Sequence, residues 1–116
     1  MIRRKIKCGD IYWLEEKNAA GHQYYKKRPH LIVDSDEYIS VSKMVCVVPL
    51  TSKMSNFNKY DYKIIKNFSN NLKVDSLAKL DHIYTYDKER FIHCVGRIEH
   101  TLMKKIHFNL RKHFNL

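Results

Sequence analysis

The stretch "KMVCVVPLTS", residues 43 to 52, decides the fold that the sequence predicts. It is a nearly continuous run of β-branched and apolar residues that ends at Pro49, and such runs are typical of strands buried on both faces. Proline ends the run because it has no N–H to donate to a neighbouring strand. We therefore predict a central strand, followed directly by two hydroxyl side chains, Thr51 and Ser52.

Short strands are predicted on both sides of this central run. Before it lie residues 11–14, which follow a Gly-Asp turn, and residues 29–34, where Pro29 can begin a strand because it need not donate a ladder bond there. After it, further strand segments are predicted at residues 59–65, 72–86 and 91–98, the second of them long or broken, with a turn at residues 87–90.

The hydrophobic period changes near the C-terminal end. From Thr101 onward, apolar residues recur at steps of three and four while the cations lie mostly on other faces, which predicts an amphipathic helix over about residues 101–115. The apolar positions are Leu102, Met103, Ile106, Leu110 and Phe114. The predicted fold class is mainly β with a C-terminal helix, in the form of a small barrel whose strand edges are removed by closure and by the helix cover.

Length and charge limit what the chain can be. The 116 residues contain no repeat, low-complexity tract or linker, which predicts a single domain over residues 1–116 with a basic arm at residues 1–8. The formal net charge of +10 favours a polyanionic partner, because each phosphate neutralised releases condensed counterions. An inert basic surface and an acidic protein partner are the alternatives.

Several protein classes are disfavoured by the same sequence. There is neither a 20-residue apolar span nor a leader-like start, so a cytosolic protein is expected. Three cysteines without a CxxC pair predict no disulfide framework, and seven histidines without HExxH or zinc-finger spacing predict no metal site and no cofactor.

Three separated groups of residues could carry chemistry. They are the cations at residues 26–28 before Pro29, the pair Thr51 and Ser52, and Lys79 with Asp81. Strand alternation would place Lys79 and Asp81 on one face, either as a plain salt bridge or as an acid/base pair.

Each group also has a simpler interpretation. Arg28 can be a solvated cation at a strand entry, Thr51 and Ser52 can be turn residues, and His22 can be a surface histidine. Trp13 is more often barrel filler than a stacking platform. Together, however, a cation, two hydroxyls and a base suit RNA cleavage, in which the 2′-OH is the nucleophile and no metal is required.

Several segments, in this order, resemble the MazF/PemK family of toxin endoribonucleases. They are "GDIYW" (9–13), "GH" (21–22), "KKRPHLIV" (26–33), "VVPLTS" (47–52) and "DHIYTYDKERF" (81–91), followed by the terminal helix. The resemblance implies an SH3-like barrel of the PemK/MazF/CcdB type that forms a homodimer. It also implies cleavage of single-stranded mRNA at short sequences without metal, and neutralisation by an antitoxin that covers the RNA groove.

The resemblance also assigns roles to residues of the catalytic step. Arg28 matches the arginine that acts on the scissile phosphate, and Thr51 and Ser52 match the pair that orients it. Asp81 matches an aspartate proposed as general base, and His22 matches a loop histidine in RNA contact. Attack by the 2′-OH would leave a 2′,3′-cyclic phosphate and a 5′-OH.

The remaining part of the match, which carries the other expected RNA contacts, departs from the family pattern at four positions. Gln23 stands where a glutamate is common and cannot take a proton at neutral pH, while Lys79 replaces an arginine and lacks its bidentate fork. His82 and Tyr84 stand where glutamine and arginine are common, and Lys27 adds a cation beside Arg28.

These assignments give one mechanistic hypothesis and one rival. In the hypothesis Asp81 takes the 2′-OH proton, Arg28 stabilises the charge on the phosphorane, Lys79 is an auxiliary cation, and His82 or His22 is the acid. The rival is a noncatalytic SH3-like module that only binds RNA or, like the CcdB toxins, binds a protein such as gyrase.

Overall fold

The computed structural model describes residues 5–15 and 27–116. Within these ranges the chain forms a sheet of seven antiparallel strands and two α-helices. The strands are β1 (Asp10–Glu15), β2 (Lys27–Ile32), β3 (Met44–Thr51), β4 (Tyr62–Ile64), β5 (Ser76–Ala78), β6 (Tyr84–Asp87) and β7 (Cys94–Arg97). The helices are α1 (Asp36–Val41) and α2 (His100–His113), and short 3-10 turns span Met54–Asn56 and Lys88–Arg90.

Strand β3 organises the sheet because three other strands pair with it. Its residues 44–47 pair with β6, residues 47–49 with β2, and residues 50–51 with β5. The strand order is β4-β5-β3-β2-β1-β7, with β6 also on β3. One strand shared in this way makes the sheet curl, and the predicted class, mainly β and barrel-like with one C-terminal helix, is confirmed.

The prediction that β3 is buried on both faces is confirmed as well. Val45 and Val47 pack in one apolar cluster with Tyr12 and Tyr86. Alternate residues on the other face, Val48 and Leu50, pack in a second cluster that α2 covers. Both faces of this strand therefore contribute to core, which accounts for its uninterrupted apolar sequence.

Helix α2 forms close to where its period predicts. Met103 and Ile106 are buried against the second cluster, and Leu102 and Leu110 pack at its margin. The inclusion of Phe114 in the buried stripe was wrong, because this residue follows the helix and is half exposed. Neither helix of the described ranges is long and apolar enough to cross a membrane.

Other elements differ from the prediction. The segment 59–65 gives only the three-residue strand β4, and α1 was not predicted at all. Helix α1 begins where the Ser35 side chain accepts a hydrogen bond of 3.2 Å from the N–H of Tyr38, a local cap that needs no hydrophobic period.

The segment 72–86 is broken into β5 and β6, and the break has a tertiary cause. Asp61 is 1 % exposed in its side chain and lies across from the break. It accepts the N–H of Leu80 at 3.0 Å and the Nζ of Lys79 at 2.5 Å. These bonds hold residues 79–81 in a turn, so the inference that strand alternation places Lys79 and Asp81 on one sheet face was wrong.

Candidate active site

A concave pocket of about 630 Å³ opens where the ends of β2 and β3 meet β1 and β7. Arg28 from β2 lines it together with Thr51 and Ser52 from the end of β3. The other lining residues are Trp13, Pro29, Leu50, Lys53, Asn71, Leu72, Lys73, Val74, Ser76, His93, Cys94 and Val95. The volume is in the range of small-ligand sites.

The register of two strands explains why the separated motifs converge. In the antiparallel pairing of β2 with β3, His30 lies opposite Pro49. Continuing that register by two residues brings Arg28 opposite Thr51, and opposite residues on antiparallel strands share one face. The convergence of Arg28 with the hydroxyl pair, which the sequence predicts, is therefore present, while their catalytic role stays a prediction.

The polar groups at the pocket are held by the backbone. The side-chain oxygen of Thr51 accepts the N–H of Lys53 at 3.2 Å, which leaves the hydroxyl hydrogen to donate elsewhere. The ring Nδ1 of buried His30 lies 2.9 Å from the carbonyl oxygen of Arg28 and must donate to it, since a carbonyl only accepts. This bond fixes the strand backbone at Arg28.

The charge of the pocket suits an anion. Arg28, Lys53 and Lys73 line it, and none of its lining residues in the described part of the chain is a carboxylate. Trp13 lies beside these cations with 41 % of its surface exposed, so the interpretation of this residue as barrel filler was wrong. A phosphate attached to a flat base fits cations next to an aromatic face.

The second predicted group lies elsewhere. Lys79, Asp81 and His82 are not among the residues that line the pocket. The Lys79 side chain is only 9 % exposed, and its Nζ donates to Asp61 and to the carbonyl oxygen of Asn56. An auxiliary cation for RNA needs a reachable amino group, and the structure instead holds the Lys79 ammonium in a buried ion pair, so its RNA contact stays a prediction.

Asp81 is engaged by its neighbours. His82 Nδ1 lies 2.9 Å from one carboxylate oxygen, Asn58 Nδ2 donates to the other at 2.5 Å, and Lys79 Nζ is 3.9 Å away. Partial burial raises the pKa of Asp81, but the hydrogen bond from His82 and the charges of His82 and Lys79 outweigh it and lower the pKa. A carboxylate with a lowered pKa is a weaker base.

Three further predicted contacts have different outcomes. His22 and Gln23 lie outside the described residues. Lys27 is exposed and lines a separate concavity of about 290 Å³ with Arg90, on the far side of Trp13 and His93, which border both pockets.

Sequence reasoning missed several lining residues, chiefly His93, Asn71 and the two lysines. His93 reaches the pocket through the pairing of β7 with β1, where the Trp13 N–H donates to the His93 carbonyl oxygen at 2.9 Å. Asn71 reaches it from the loop before β5, where its backbone φ is 53° and its Nδ2 donates to the Val95 carbonyl oxygen at 3.2 Å. Neither position carries a local signal, because His93 is placed by strand pairing and Asn71 by a hydrogen bond to a distant part of the chain.

Among the described residues, no group of three or more His, Cys, Asp or Glu side chains could hold a metal ion.

Comparison with known proteins places the chain in a family. The family model for the PemK-like, MazF-like toxin of type II toxin-antitoxin systems matches residues 7–114. Endoribonuclease MazF6 of Mycobacterium tuberculosis is 26 % identical over 113 residues, which cover 96 % of this chain and 98 % of the relative. Endoribonuclease MazF9 of the same organism is 24 % identical over 122 residues, covering 100 % and 98 %.

Solved structures share the fold. The crystal structure of MazF from Deinococcus radiodurans superposes with a TM-score of 0.75 at 17 % identity, covering 98 % of this chain and 100 % of that one. A mycobacterial endoribonuclease in complex with its cognate antitoxin superposes with a TM-score of 0.67 at 21 % identity, covering 96 % and 94 %. Because the family model matches nearly the whole length of this chain, the chain belongs to the PemK-like, MazF-like toxins of type II toxin-antitoxin systems.

Proposed function

We propose that this chain is a toxin endoribonuclease that cleaves single-stranded mRNA at short sequence motifs without a metal ion. The observation that carries the proposal is the convergence of Arg28, Thr51 and Ser52 on one cationic pocket, where the lining residues that the structure describes include no carboxylate. Family membership and relatives named endoribonuclease support it. The net charge of +10 supports a polyanionic substrate.

The chemistry is transesterification by the RNA itself. The 2′-oxygen attacks the adjacent phosphorus, a new 2′-O–P bond forms, and the P–O5′ bond breaks to give a 2′,3′-cyclic phosphate and a 5′-OH. Negative charge builds on the nonbridging oxygens during attack. Arg28 stabilises that charge, and the hydroxyls of Thr51 and Ser52 donate to the same oxygens, a contribution of roughly 3 to 4 kcal/mol for one well-placed donor.

Asp81 is a weaker candidate for the base than the sequence alone indicated. Its carboxylate is hydrogen-bonded by His82 and Asn58 and is not part of the pocket lining. In this proposal the 2′-OH proton passes to water, and the Asp81 carboxylate stays bonded to His82 and Asn58. The expected effect of Asp81→Asn on cleavage is then smaller than that of Arg28→Ala.

Partners follow from the same family. Structures of relatives include a toxin bound to its cognate antitoxin. We expect this chain to act in the cytoplasm as a homodimer, to inhibit translation and growth by cutting mRNA, and to be neutralised by a cognate antitoxin that covers the pocket.

The test is cleavage of a long single-stranded RNA in excess chelator, followed by chemical mapping of the new ends. The proposal expects cuts at a recurrent short sequence, with cyclic phosphate and 5′-OH ends, and a loss of at least about a hundredfold with Arg28→Ala. Intact RNA, or cuts that require added metal, would contradict it. RNA that is bound but never cut would favour the noncatalytic alternative, as would gyrase inhibition without cleavage.

A further inference from the structure

Breaking the P–O5′ bond expels an alkoxide, and an acid that donates a proton to that oxygen lowers the barrier. General acid catalysis of this kind typically contributes roughly 10² to 10⁴ in rate. Arginine and lysine hold their protons too tightly at neutral pH to be efficient acids. The residue type suited to the task near neutral pH is histidine.

One histidine of the described residues lines the pocket, and that residue is His93. The two histidines that the sequence offered as acids do not replace it: His82 is bound to Asp81 away from the pocket lining, and His22 lies outside the described residues. His30 is fully buried, and His107 lies on α2, where its Nε2 is 2.8 Å from the Val33 carbonyl oxygen.

The backbone of His93 is placed by strand pairing. Tyr12 lies opposite Cys94 and Ile11 opposite Gly96, so one extra residue, Val95, forms a bulge in β7. Continuing the register by one residue brings His93 opposite Trp13, in agreement with the 2.9 Å hydrogen bond between their backbones. Bulges commonly re-aim neighbouring side chains beside active sites.

The imidazole of His93 is exposed, and no hydrogen bond from another residue of ranges 5–15 and 27–116 holds it. Substrate and solvent can therefore both reach the imidazole. A general acid needs this access, because it must regain a proton after each turnover. Arg28 and Thr51 line the same pocket, so a phosphate bound by them has this imidazole in its surroundings.

We propose that His93 is the general acid of the cleavage reaction. This inference rests on the proposed endoribonuclease function. As the 2′-oxygen bonds to phosphorus and releases its proton to water, the P–O5′ bond breaks and the imidazolium of His93 gives its proton to the departing 5′-oxygen. The neutral imidazole then regains a proton from solvent.

Charged groups on both sides of His93 will modulate the proton transfer. On the side of the main pocket these are Arg28, Lys53 and Lys73, beside the neutral thiol of Cys94, and on the side of the smaller concavity they are Glu15, Lys27, Glu89 and Arg90.

The decisive experiment changes the leaving group. In an RNA with a single bridging 5′-sulfur at the cut site, the departing thiolate needs no proton. We expect His93→Gln to slow cleavage of ordinary RNA by about a hundredfold or more but of the 5′-sulfur RNA by less than about tenfold. His100→Gln, an exposed histidine on α2 outside the pocket lining, is the matched control and should match wild type on both substrates.

The possible failures are separable. If His93→Gln slowed cleavage of both substrates equally, His93 would have a binding or structural role. If it did not slow cleavage of ordinary RNA, His93 would have no role. Either result overturns the inference. A urea titration of the variant checks that it is folded. If Arg28→Ala abolishes cleavage while His93→Gln does not, only this inference fails, whereas intact RNA with wild-type protein removes the proposed function itself.

Discussion

Replacing Lys79 with methionine should destabilise the protein strongly and leave its chemistry intact. The Lys79 ammonium and the Asp61 carboxylate are both shielded from water, with side chains 9 % and 1 % exposed. Methionine has similar length and no charge, so the substitution removes the ion pair and little volume. It leaves the Asp61 carboxylate buried, with the backbone N–H groups of Asn58 and Leu80 as its remaining donors among residues 5–15 and 27–116.

The expected magnitude follows from that geometry. Removing one partner of a buried pair typically costs roughly 3 to 5 kcal/mol, because the other charge stays behind uncompensated. At about 4 °C per kcal/mol for a chain of this size, the melting temperature should fall by roughly 12 to 20 °C. The double variant Lys79→Met/Asp61→Asn removes both charges, so it should lose less than the sum of the single losses, by about 1 to 3 kcal/mol.

Urea denaturation followed by the fluorescence of the single tryptophan measures these free energies of unfolding. Lys63→Met, an exposed position on β4, is the matched control and should change stability by less than about 0.5 kcal/mol. RNA cleavage by the folded fraction of Lys79→Met should stay within about threefold of wild type. A variant of unchanged stability that cuts RNA tenfold or more slowly would refute this account and restore Lys79 as a substrate-binding cation.

Two further outcomes follow from titrating groups. Burial first, and then nearby carboxylates led by Asp36, raise the pKa of Cys8 from 9.0 to about 11. In a Cys46→Ser/Cys94→Ser background, iodoacetamide at pH 8 should therefore alkylate Cys8 roughly a hundredfold more slowly than a model thiol. An equal rate would contradict the burial of Cys8. The lowered pKa of Asp81 means that its carboxylate stabilises the fold above its ordinary pKa and that this stabilisation is lost as pH falls through the lowered pKa. At pH 7 the free energy of unfolding of Asp81→Asn should therefore be lower than that of wild type, by under about 1 kcal/mol, and this difference should disappear in acid. A difference that does not change with pH would contradict this expectation.

Sequence patterns within a single element predicted the strands and helices whose formation depends on local residues. The β-branched run of β3 and the three- and four-residue steps of α2 are local signals, and both elements formed where expected. The break between β5 and β6 is not local, because it depends on Asp61, eighteen or more residues away along the chain from the groups it binds. A period-two pattern cannot show that a distant carboxylate captures Lys79.

The candidate site divides in the same way. The convergence of Arg28 with Thr51 could be expected because family motifs mark both residues and antiparallel pairing of their strands joins them. His93 carries no motif, and it enters the pocket only because a bulge in β7 sets its register against β1. Such a residue is found from strand pairing and not from composition or spacing.

In the proposed reaction Arg28 and Thr51 act on one phosphate, and a double-mutant cycle of single-turnover RNA cleavage measures whether they do. Rates would be measured for wild type, Arg28→Ala, Thr51→Ala and the double variant under identical conditions. Because residues that stabilise the same charge are not independent, the double variant should cut at nearly the rate of the slower single variant. Losses that multiply, or a Thr51→Ala rate equal to wild type, would contradict a shared site.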